Sequence, residues 1–121
     1  MKGAIRCVLT ALNALHDAEL VHRDVRWPNI VKVGDDWYLV DLDSADRIGR
    51  PIPYRPTDSP PEIQQGSVWG VRHDIWQVGR LLDHQVSGLL DSVGVDFARF
   101  LKTSCQTAQE ALQHPWLASA V

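Results

Sequence analysis

The chain has 121 residues, 45% of them hydrophobic and 22% charged, and a formal net charge of -3 at pH 7. This length suits one compact domain, 1–121, that buries about two-thirds of the surface its unfolded form exposes, and the composition excludes general disorder. It contains no long lysine or arginine run and no apolar run near the ~20 residues that span a bilayer, so we expect neither nucleic acid nor membrane as a partner.

The only two cysteines, Cys7 and Cys105, lie far apart in the sequence. Neither has a histidine or a second cysteine at the spacing of a zinc site. We therefore predict two reduced structural thiols. Reduced thiols are typical of an intracellular protein, cytoplasmic or nuclear, and that is the location we expect.

An amphipathic helix is predicted from Ala4 to Leu15, because apolar residues recur there at helical spacing. After a short apolar run at residues 20–21 and a polar stretch at residues 22–29, two β-rich runs follow. The first covers residues 30–33 and the second residues 37–40, with a Gly-Asp-Asp turn between them. This pattern predicts a β-hairpin.

Five prolines fall between Ser44 and Pro61, which blocks helix and central strand alike and predicts a long loop of about 20 residues. Loops of this length inside compact domains are usually functional. Helical periodicity returns from His73 to Val86 and again around residues 97–101. Thr107 and Glu110 form a capping box, so the chain is predicted to end in a helix.

The segment from His22 to Asn29 reads His-Arg-Asp-Val-Arg-Trp-Pro-Asn. It resembles the catalytic loop of protein kinases, in which H-R-D is followed by an asparagine five places after the aspartate. The segment lies between the predicted helix and hairpin. The hairpin is followed by Asp41, where protein kinases place a metal-binding aspartate. Position and sequence therefore support the same resemblance.

Further motifs follow in the order that protein kinases have. Residues 60–62, Pro-Pro-Glu, resemble A-P-E; residues 74–79, Asp-Ile-Trp-Gln-Val-Gly, resemble the D-x-W-x-x-G of a buried helix; and residues 111–116 resemble the last helix. The resemblance covers nearly the whole chain. It implies a mainly α fold with a small β-hairpin, a protein-kinase-like C-lobe from which the N-lobe is absent.

The resemblance also implies catalytic and cofactor-binding roles. Asp24 would accept the proton of the substrate hydroxyl, and Arg26, in place of the usual lysine, would present positive charge to the phosphoryl group. Asn29 and Asp41 would bind Mg²⁺ and, through it, ATP, because Mg²⁺ prefers hard oxygen ligands. If the strand continues through Asp41 and Asp43, both carboxylates face one side, and Asp43 shares the metal.

Structural and regulatory roles are implied for four more residues. Asp74 would hold the catalytic-loop backbone, and Arg23 would receive a phosphate or carboxylate from the long loop. That loop carries two candidate phosphorylation sites, Thr57 and Ser59. His22 belongs to the H-R-D motif, although taken alone it is equally well explained as a buried core histidine. The fourth residue is Glu62, the glutamate of the A-P-E-like motif at residues 60–62.

The sequence departs from the protein-kinase pattern in three places. It contains no G-x-G-x-x-G loop and no V-A-I-K-like lysine strand, so half of the nucleotide pocket is missing. Asp43 stands where the metal-binding triplet normally has glycine. The usual arginine partner of Glu62, expected near Cys105, is absent. Arg72 or Lys102 can replace it, and we expect Glu62 to be paired or exposed.

Three functions fit these observations. The first is a Ser/Thr protein kinase of which this chain is a partial catalytic domain, with the missing N-lobe as a partner alongside a protein substrate. The second is a non-catalytic, pseudokinase-like module that binds a protein. The third is a small-molecule kinase of the aminoglycoside or choline type, which the D-x-D pair suggests and Glu62 and the motif at residues 74–79 disfavour.

The segments HRDVRWPN and VDLDSA also resemble kinase domains of fungal and oomycete proteins, among them crinkler-type effectors. Trp37, Trp69 and Trp116 are assigned to packing. If the upper lobe is missing, apolar residues such as Ile30 and Leu39 should be partly uncovered and prone to association.

Overall fold

The computed structural model describes residues 2–86 and 91–118, and for residues 84–86 it describes the backbone alone. The side chain of Val86, at the end of a predicted helix, therefore lies outside the described part. The elements run in the order α1 (Lys2–Asp17), β1 (Leu20–Val21), a 3-10 turn (Trp27–Asn29), β2 (Ile30–Val33), β3 (Asp36–Leu39), β4 (Asp46–Arg47), α2 (Val71–Val86), α3 (Ser92–Thr103), α4 (Ala108–Leu112) and α5 (Pro115–Ala118). No helix of this part is long and apolar enough to cross a membrane.

One hydrophobic core joins the helices. The predicted apolar stripe of α1 faces α2 and the C-terminal helices, and burying each such side chain stabilises the fold by about 1.5 to 3 kcal/mol. The core includes Ile5, Val8, Leu9, Leu12, Ile75, Val78, Leu82, Phe97, Leu101 and Trp116. The mainly α prediction is confirmed.

The predicted hairpin is present, with β2 and β3 antiparallel and joined by a two-residue turn. Gly34 takes a φ of 63° at the first turn position, which glycine adopts without strain and which type II′ hairpins favour. A second pairing was not predicted, because each strand is only two residues long: β1 pairs antiparallel with β4. This second sheet places the start of the long loop beside the catalytic-loop motif.

The exposed apolar residues of the hairpin match those expected only in part. Leu39 is partly uncovered, as expected, whereas Ile30 is buried, and both pack on the core. The exposed side chains belong to the opposite face, and include Val31, Val33 and Tyr38. Successive strand residues point to opposite faces of the hairpin, so an error of one position exchanges the residues assigned as buried with those assigned as exposed. An uncovered apolar surface is therefore present, but its most exposed side chains lie on the face opposite Ile30 and Leu39.

The C-terminal helices are closed by side-chain caps. Asp91 accepts a hydrogen bond from the Gly94 amide at the start of α3, and Thr107 accepts one from the Glu110 amide at the start of α4. The Thr107 cap confirms the predicted helix start. The last predicted helix is divided into α4 and α5, which meet at residues 113–114.

Close packing of α2 against α3 depends on Gly79. A Cβ atom at this position would lie 3.2 Å from the carbonyl oxygen of Ala98 and 3.2 Å from Cβ of Leu101. We expect Gly79→Ala to lower the free energy of unfolding by about 1 to 2 kcal/mol, since overpacking outweighs the gain in helix propensity. Urea denaturation measures this. The control Gly3→Ala, where a Cβ atom has room, should be neutral or stabilising, and equal effects of both changes would contradict this packing argument.

Candidate functional site

Asp74, in the first turn of α2, is hydrogen-bonded to the backbone of the catalytic-loop segment, residues 22–29. Its buried carboxylate accepts hydrogen bonds from the backbone amides of His22 at 2.8 Å and Arg23 at 2.9 Å. It also accepts one from Nε1 of Trp69 at 3.0 Å, and Nε2 of His16 lies 2.9 Å away. The structure therefore places the Asp74 carboxylate against the backbone at residues 22–23.

His22 connects the catalytic-loop segment to the end of the hairpin. Its Nδ1 accepts a hydrogen bond from the Asp24 amide at 3.1 Å, so its Nε2 carries the proton and donates to the Val40 carbonyl at 3.0 Å. The Val40 amide in turn donates to the carbonyl of Asn29 at 2.8 Å. Both backbone groups of Val40 are thus fixed, which places the following residue, Asp41, beside the segment.

The structure brings Asp24, Arg26 and Asn29 together. Nε of Arg26 donates to Oδ1 of Asp24 at 2.9 Å. Nδ2 of Asn29 donates to Oδ2 of Asp24 at 2.9 Å and to the Asp24 carbonyl at 2.9 Å. The carboxylate of Asp24 is only 22% exposed. Both of its oxygen atoms are therefore hydrogen-bonded, while part of the carboxylate remains exposed to solvent.

Asn29 and Asp41 retain oxygen atoms that suit Mg²⁺. Both hydrogen bonds of the Asn29 side chain use Nδ2, so they do not occupy its Oδ1. Within residues 2–86 and 91–118, no group of three or more His, Cys, Asp or Glu side chains that could hold a metal ion is present. Mg²⁺ commonly binds through one or two carboxylates together with substrate phosphates and water, and the Asn29 amide oxygen and the Asp41 carboxylate are oxygen ligands of the type it takes.

The predicted D-x-D geometry is wrong. Strand β3 ends at Leu39, and Asp41 takes a φ of 65°, so the strand alternation that would align the two carboxylates does not apply. Oδ1 of Asp41 instead accepts a hydrogen bond from the Asp43 amide at 3.2 Å. The side chain of Asp43 lines a cavity of about 210 Å³ together with Arg23 and Asp46.

Arg23 lies buried beside the start of the long loop. It takes a φ of 76°, and such left-handed non-glycine residues are often found at functional sites. Its Nη2 donates to the carbonyls of Arg50 at 3.0 Å and Pro51 at 3.5 Å, and its Nη1 lies 3.8 Å from the Asp46 carboxylate. Its buried Nε has no hydrogen-bond partner among the residues that the structure describes. The Asp46 carboxylate thus lies within ion-pair distance of Arg23.

The two candidate phosphorylation sites differ in accessibility. Thr57 is exposed. Ser59 is buried, and its hydroxyl donates to the Pro56 carbonyl at 3.2 Å. Phosphorylation at Ser59 would therefore require the loop to open, whereas Thr57 is accessible in the structure as it stands.

Glu62 is both paired and exposed. Arg72 lies 3.3 Å from it, and about half of each side chain is exposed. Lys102 instead pairs with Asp83 at 2.6 Å. Because exposed ion pairs contribute little, we expect Glu62→Ala to change the free energy of unfolding by less than about 1 kcal/mol. Thermal or urea denaturation measures this, and a loss of several kcal/mol would contradict the surface assignment.

Sequence reasoning missed three polar contacts of the site. His16 and Trp69 both contact Asp74, although Trp69 was assigned to packing alone. Gln77 is buried and contacts the backbone on both sides of Asp24. A polar residue three positions after Asp74 on the same helix face was the signal for Gln77, since residues at that spacing are neighbours.

Among the described residues, Cys105 and His73 have clearly shifted pKa values. Burial raises the pKa of the Cys105 thiol to about 11, so the thiol stays protonated at neutral pH and is a poor nucleophile. Burial also lowers the pKa of His73, with Arg72 adding to the effect. His73 is therefore held neutral, and its Nδ1 accepts from the Gly70 amide at 2.8 Å.

Comparison with known proteins supports the protein-kinase resemblance. The chain is 28% identical over 91 residues to serine/threonine-protein kinase pakC of Dictyostelium discoideum, covering 69% of this chain and 19% of that protein. It is 35% identical over 88 residues to crinkler effector protein 8 of Phytophthora infestans, covering 65% of this chain and 14% of that protein. It is 29% identical over 79 residues to serine/threonine-protein kinase Nek9 of Mus musculus, covering 60% of this chain and 8% of that protein. No family model matches.

The fold agrees with these similarities. The structure of the kinase PK-1 of Cydia pomonella granulovirus superposes with a TM-score of 0.74 and 20% identity, over 96% of this chain and 59% of that one. The described residues therefore have the fold of a protein-kinase-like C-terminal lobe. In sequence, this chain resembles serine/threonine-protein kinases and spans less than a fifth of the curated relatives it matches.

Proposed function

We propose that this chain is the catalytic half of a protein kinase domain that transfers phosphate from ATP to a serine or threonine hydroxyl. The observation that carries the proposal is the Asp24 carboxylate, held by Arg26 on one oxygen and by Asn29 on the other. The carboxylate is partly exposed, so a substrate hydroxyl can approach it. General-base catalysis requires this combination of fixed orientation and access.

In the proposed reaction, the substrate oxygen forms a bond to the γ-phosphorus, and the bond from that phosphorus to the β,γ-bridging oxygen breaks. Asp24 accepts the proton of the hydroxyl, and ADP leaves. Arg26, next to Asp24, faces the transferring group with a fixed positive charge. Asn29 and Asp41 would hold Mg²⁺, which supplies charge neutralisation on the phosphates when bound.

The exposed face of the hairpin supports an additional segment in the active protein. Val31 and Tyr38 pair across β2 and β3, and both are exposed, as is Val40 next to Asn29. These side chains form an apolar surface beside the proposed metal ligands. We propose that an upper lobe, on the same polypeptide or another, covers this surface and supplies the glycine-rich loop and strand lysine.

A transfer assay with labelled ATP and Mg²⁺ tests the proposal on the longest natural polypeptide that contains this chain. We expect label on serine and threonine peptides. Label on a small alcohol but on no peptide would favour the aminoglycoside- or choline-type alternative. Absence of transfer to either class, from a folded protein that includes an upper lobe, would contradict the proposal.

A non-catalytic binding module is the second candidate. It is favoured by the same exposed apolar face, which includes Val33 at 61% and Val31 at 39% exposure. Patches of this kind often mark protein-interaction sites. In that case a protein partner would bind, and Mg-ATP would leave the melting temperature unchanged. A Mg-ATP-dependent rise in melting temperature would favour the catalytic function instead.

A further inference from the structure

Gln77 is a buried side chain that contacts two separate loops. It lies three residues after Asp74 on α2 and is 1% exposed. Its Oε1 accepts a hydrogen bond from the Val25 amide at 2.9 Å. Its Nε2 donates to the carbonyl of Arg23 at 3.0 Å and to the carbonyl of Asp58 at 2.7 Å. Both amide hydrogens are therefore used, and each bond is made to backbone.

The two catalytic-loop contacts flank Asp24. The Arg23 carbonyl belongs to the peptide group just before Asp24, and the Val25 amide to the peptide group just after it. A side chain that fixes both peptide groups restricts the backbone angles of Asp24 itself. Asp74 fixes the amides of residues 22 and 23, so the two side chains together hold the segment from residue 22 to residue 25.

The third contact extends this control to the proline-rich loop. Asp58 lies between Pro56 and Pro60 in that loop, and its carbonyl accepts from Nε2 of Gln77. The Asp58 carboxylate also lies 3.7 Å from Nε of Arg80, one turn further along α2. The stretch of residues 57–59 is therefore held to the same helix that holds the catalytic loop.

We infer that Gln77 is a positioning residue that couples residues 57–59 of the proline-rich loop to the catalytic loop around Asp24. The catalytic relevance of this coupling rests on the proposed function, in which Asp24 is the base. A movement of residues 57–59 away from α2 would break the hydrogen bond between Gln77 and the Asp58 carbonyl. The side-chain amide of Gln77, which also binds the backbone of residues 23–25, would then be less firmly fixed. A partner or modification at the exposed Thr57 would thereby change the placement of Asp24.

A purely structural role for Gln77 makes a different prediction. If the glutamine only satisfies buried polar groups, its loss should destabilise the whole fold, as a cavity in the apolar core does. Val78 is the matched control, because it is the neighbouring residue on α2, is fully buried, and belongs to the hydrophobic core. Val78→Ala should lower global stability without loosening the two loops selectively.

Backbone order parameters from ¹⁵N relaxation of the 121-residue chain test the coupling without substrate or nucleotide. In the wild type we expect rigid values of about 0.85 for residues 23–25 and 57–59, and in Gln77→Ala values below about 0.6 in both stretches. Gln77→Glu keeps an acceptor for the Val25 amide but loses the donors to the Arg23 and Asp58 carbonyls, so residues 57–59 should become mobile and the order of residues 23–25 should fall with them. Val78→Ala should leave both stretches rigid.

Unchanged order in Gln77→Ala, or equal loosening in Val78→Ala, would overturn the inference. If Gln77→Ala does not fold, Gln77→Glu decides, and rigid values at residues 57–59 in that variant would overturn it as well. Where the transfer assay is positive, Gln77→Ala should lower kcat about tenfold or more through misplacement of Asp24. A negative transfer assay with the expected order parameters would contradict the proposed function and leave the coupling intact.

Discussion

Replacing Asp24 by Asn is expected to lower phosphate transfer by a factor of about 10² to 10⁴, the range that general acid-base catalysis supplies. Asparagine is nearly isosteric and can still accept a hydrogen bond from Arg26 at the position of Oδ1. It cannot accept a proton from a hydroxyl. The measurement is the initial rate of transfer from ATP to a serine or threonine peptide, with kcat and KM determined separately.

The expected loss lies in kcat, and the KM for ATP should change little, because Asp24 is not a proposed metal ligand. Asp35→Asn, in the exposed hairpin turn, is the matched control for loss of one carboxylate and should keep the wild-type rate. A rate for Asp24→Asn within a factor of two of the wild type would show that Asp24 is not the base.

Replacing Asp74 by Ala is expected to lower the free energy of unfolding by about 3 to 5 kcal/mol, because a buried, fully hydrogen-bonded carboxylate is lost. Its removal leaves the amides of His22 and Arg23 and the indole of Trp69 without their acceptor. The total free energy of unfolding of a typical domain is only about 5 to 15 kcal/mol. Urea denaturation followed by circular dichroism measures the change.

Asp83→Ala is the matched control for this prediction. Asp83 also lies on α2, but it is partly exposed and pairs with Lys102 and Arg80 at the surface. Its loss should cost about 1 kcal/mol or less. Equal losses for the two variants would mean that Asp74 does not anchor the catalytic loop.

Much of the fold and of the site was predictable because the signals are local. Three of these features depend only on residues that are close together in the sequence: the apolar stripe of α1, the hairpin turn at Gly34 and the Thr107 cap. The catalytic-loop residues Asp24 and Asn29 are five positions apart, so their contact is largely set by the local backbone. Local patterns of this kind can be read from one sequence.

The features that were missed depend on contacts between distant segments. The pairing of β1 with β4 joins two dipeptides that are distant in the sequence, with Leu20 opposite Arg47 and Val21 opposite Asp46, and dipeptides carry no periodicity. Gln77 contacts backbone atoms 52 and 54 positions away. The backbone turn at Asp41 arises because β3 ends at Leu39, so no strand alternation reaches the second aspartate.

The proposed function requires that Asn29 and Asp41 would hold a metal ion next to the base Asp24, and paramagnetic Mn²⁺ in place of Mg²⁺ tests this requirement most directly. ¹⁵N spectra of the chain would be recorded with Mn²⁺ and ATP, and again after Asn29→Ala and Asp41→Asn are introduced together. We predict line broadening that is strongest at the amides of residues 24–30 and 40–42 and decreases with distance from them, and its loss in the double variant. Broadening spread over all exposed carboxylates, unchanged in the double variant, would contradict the account.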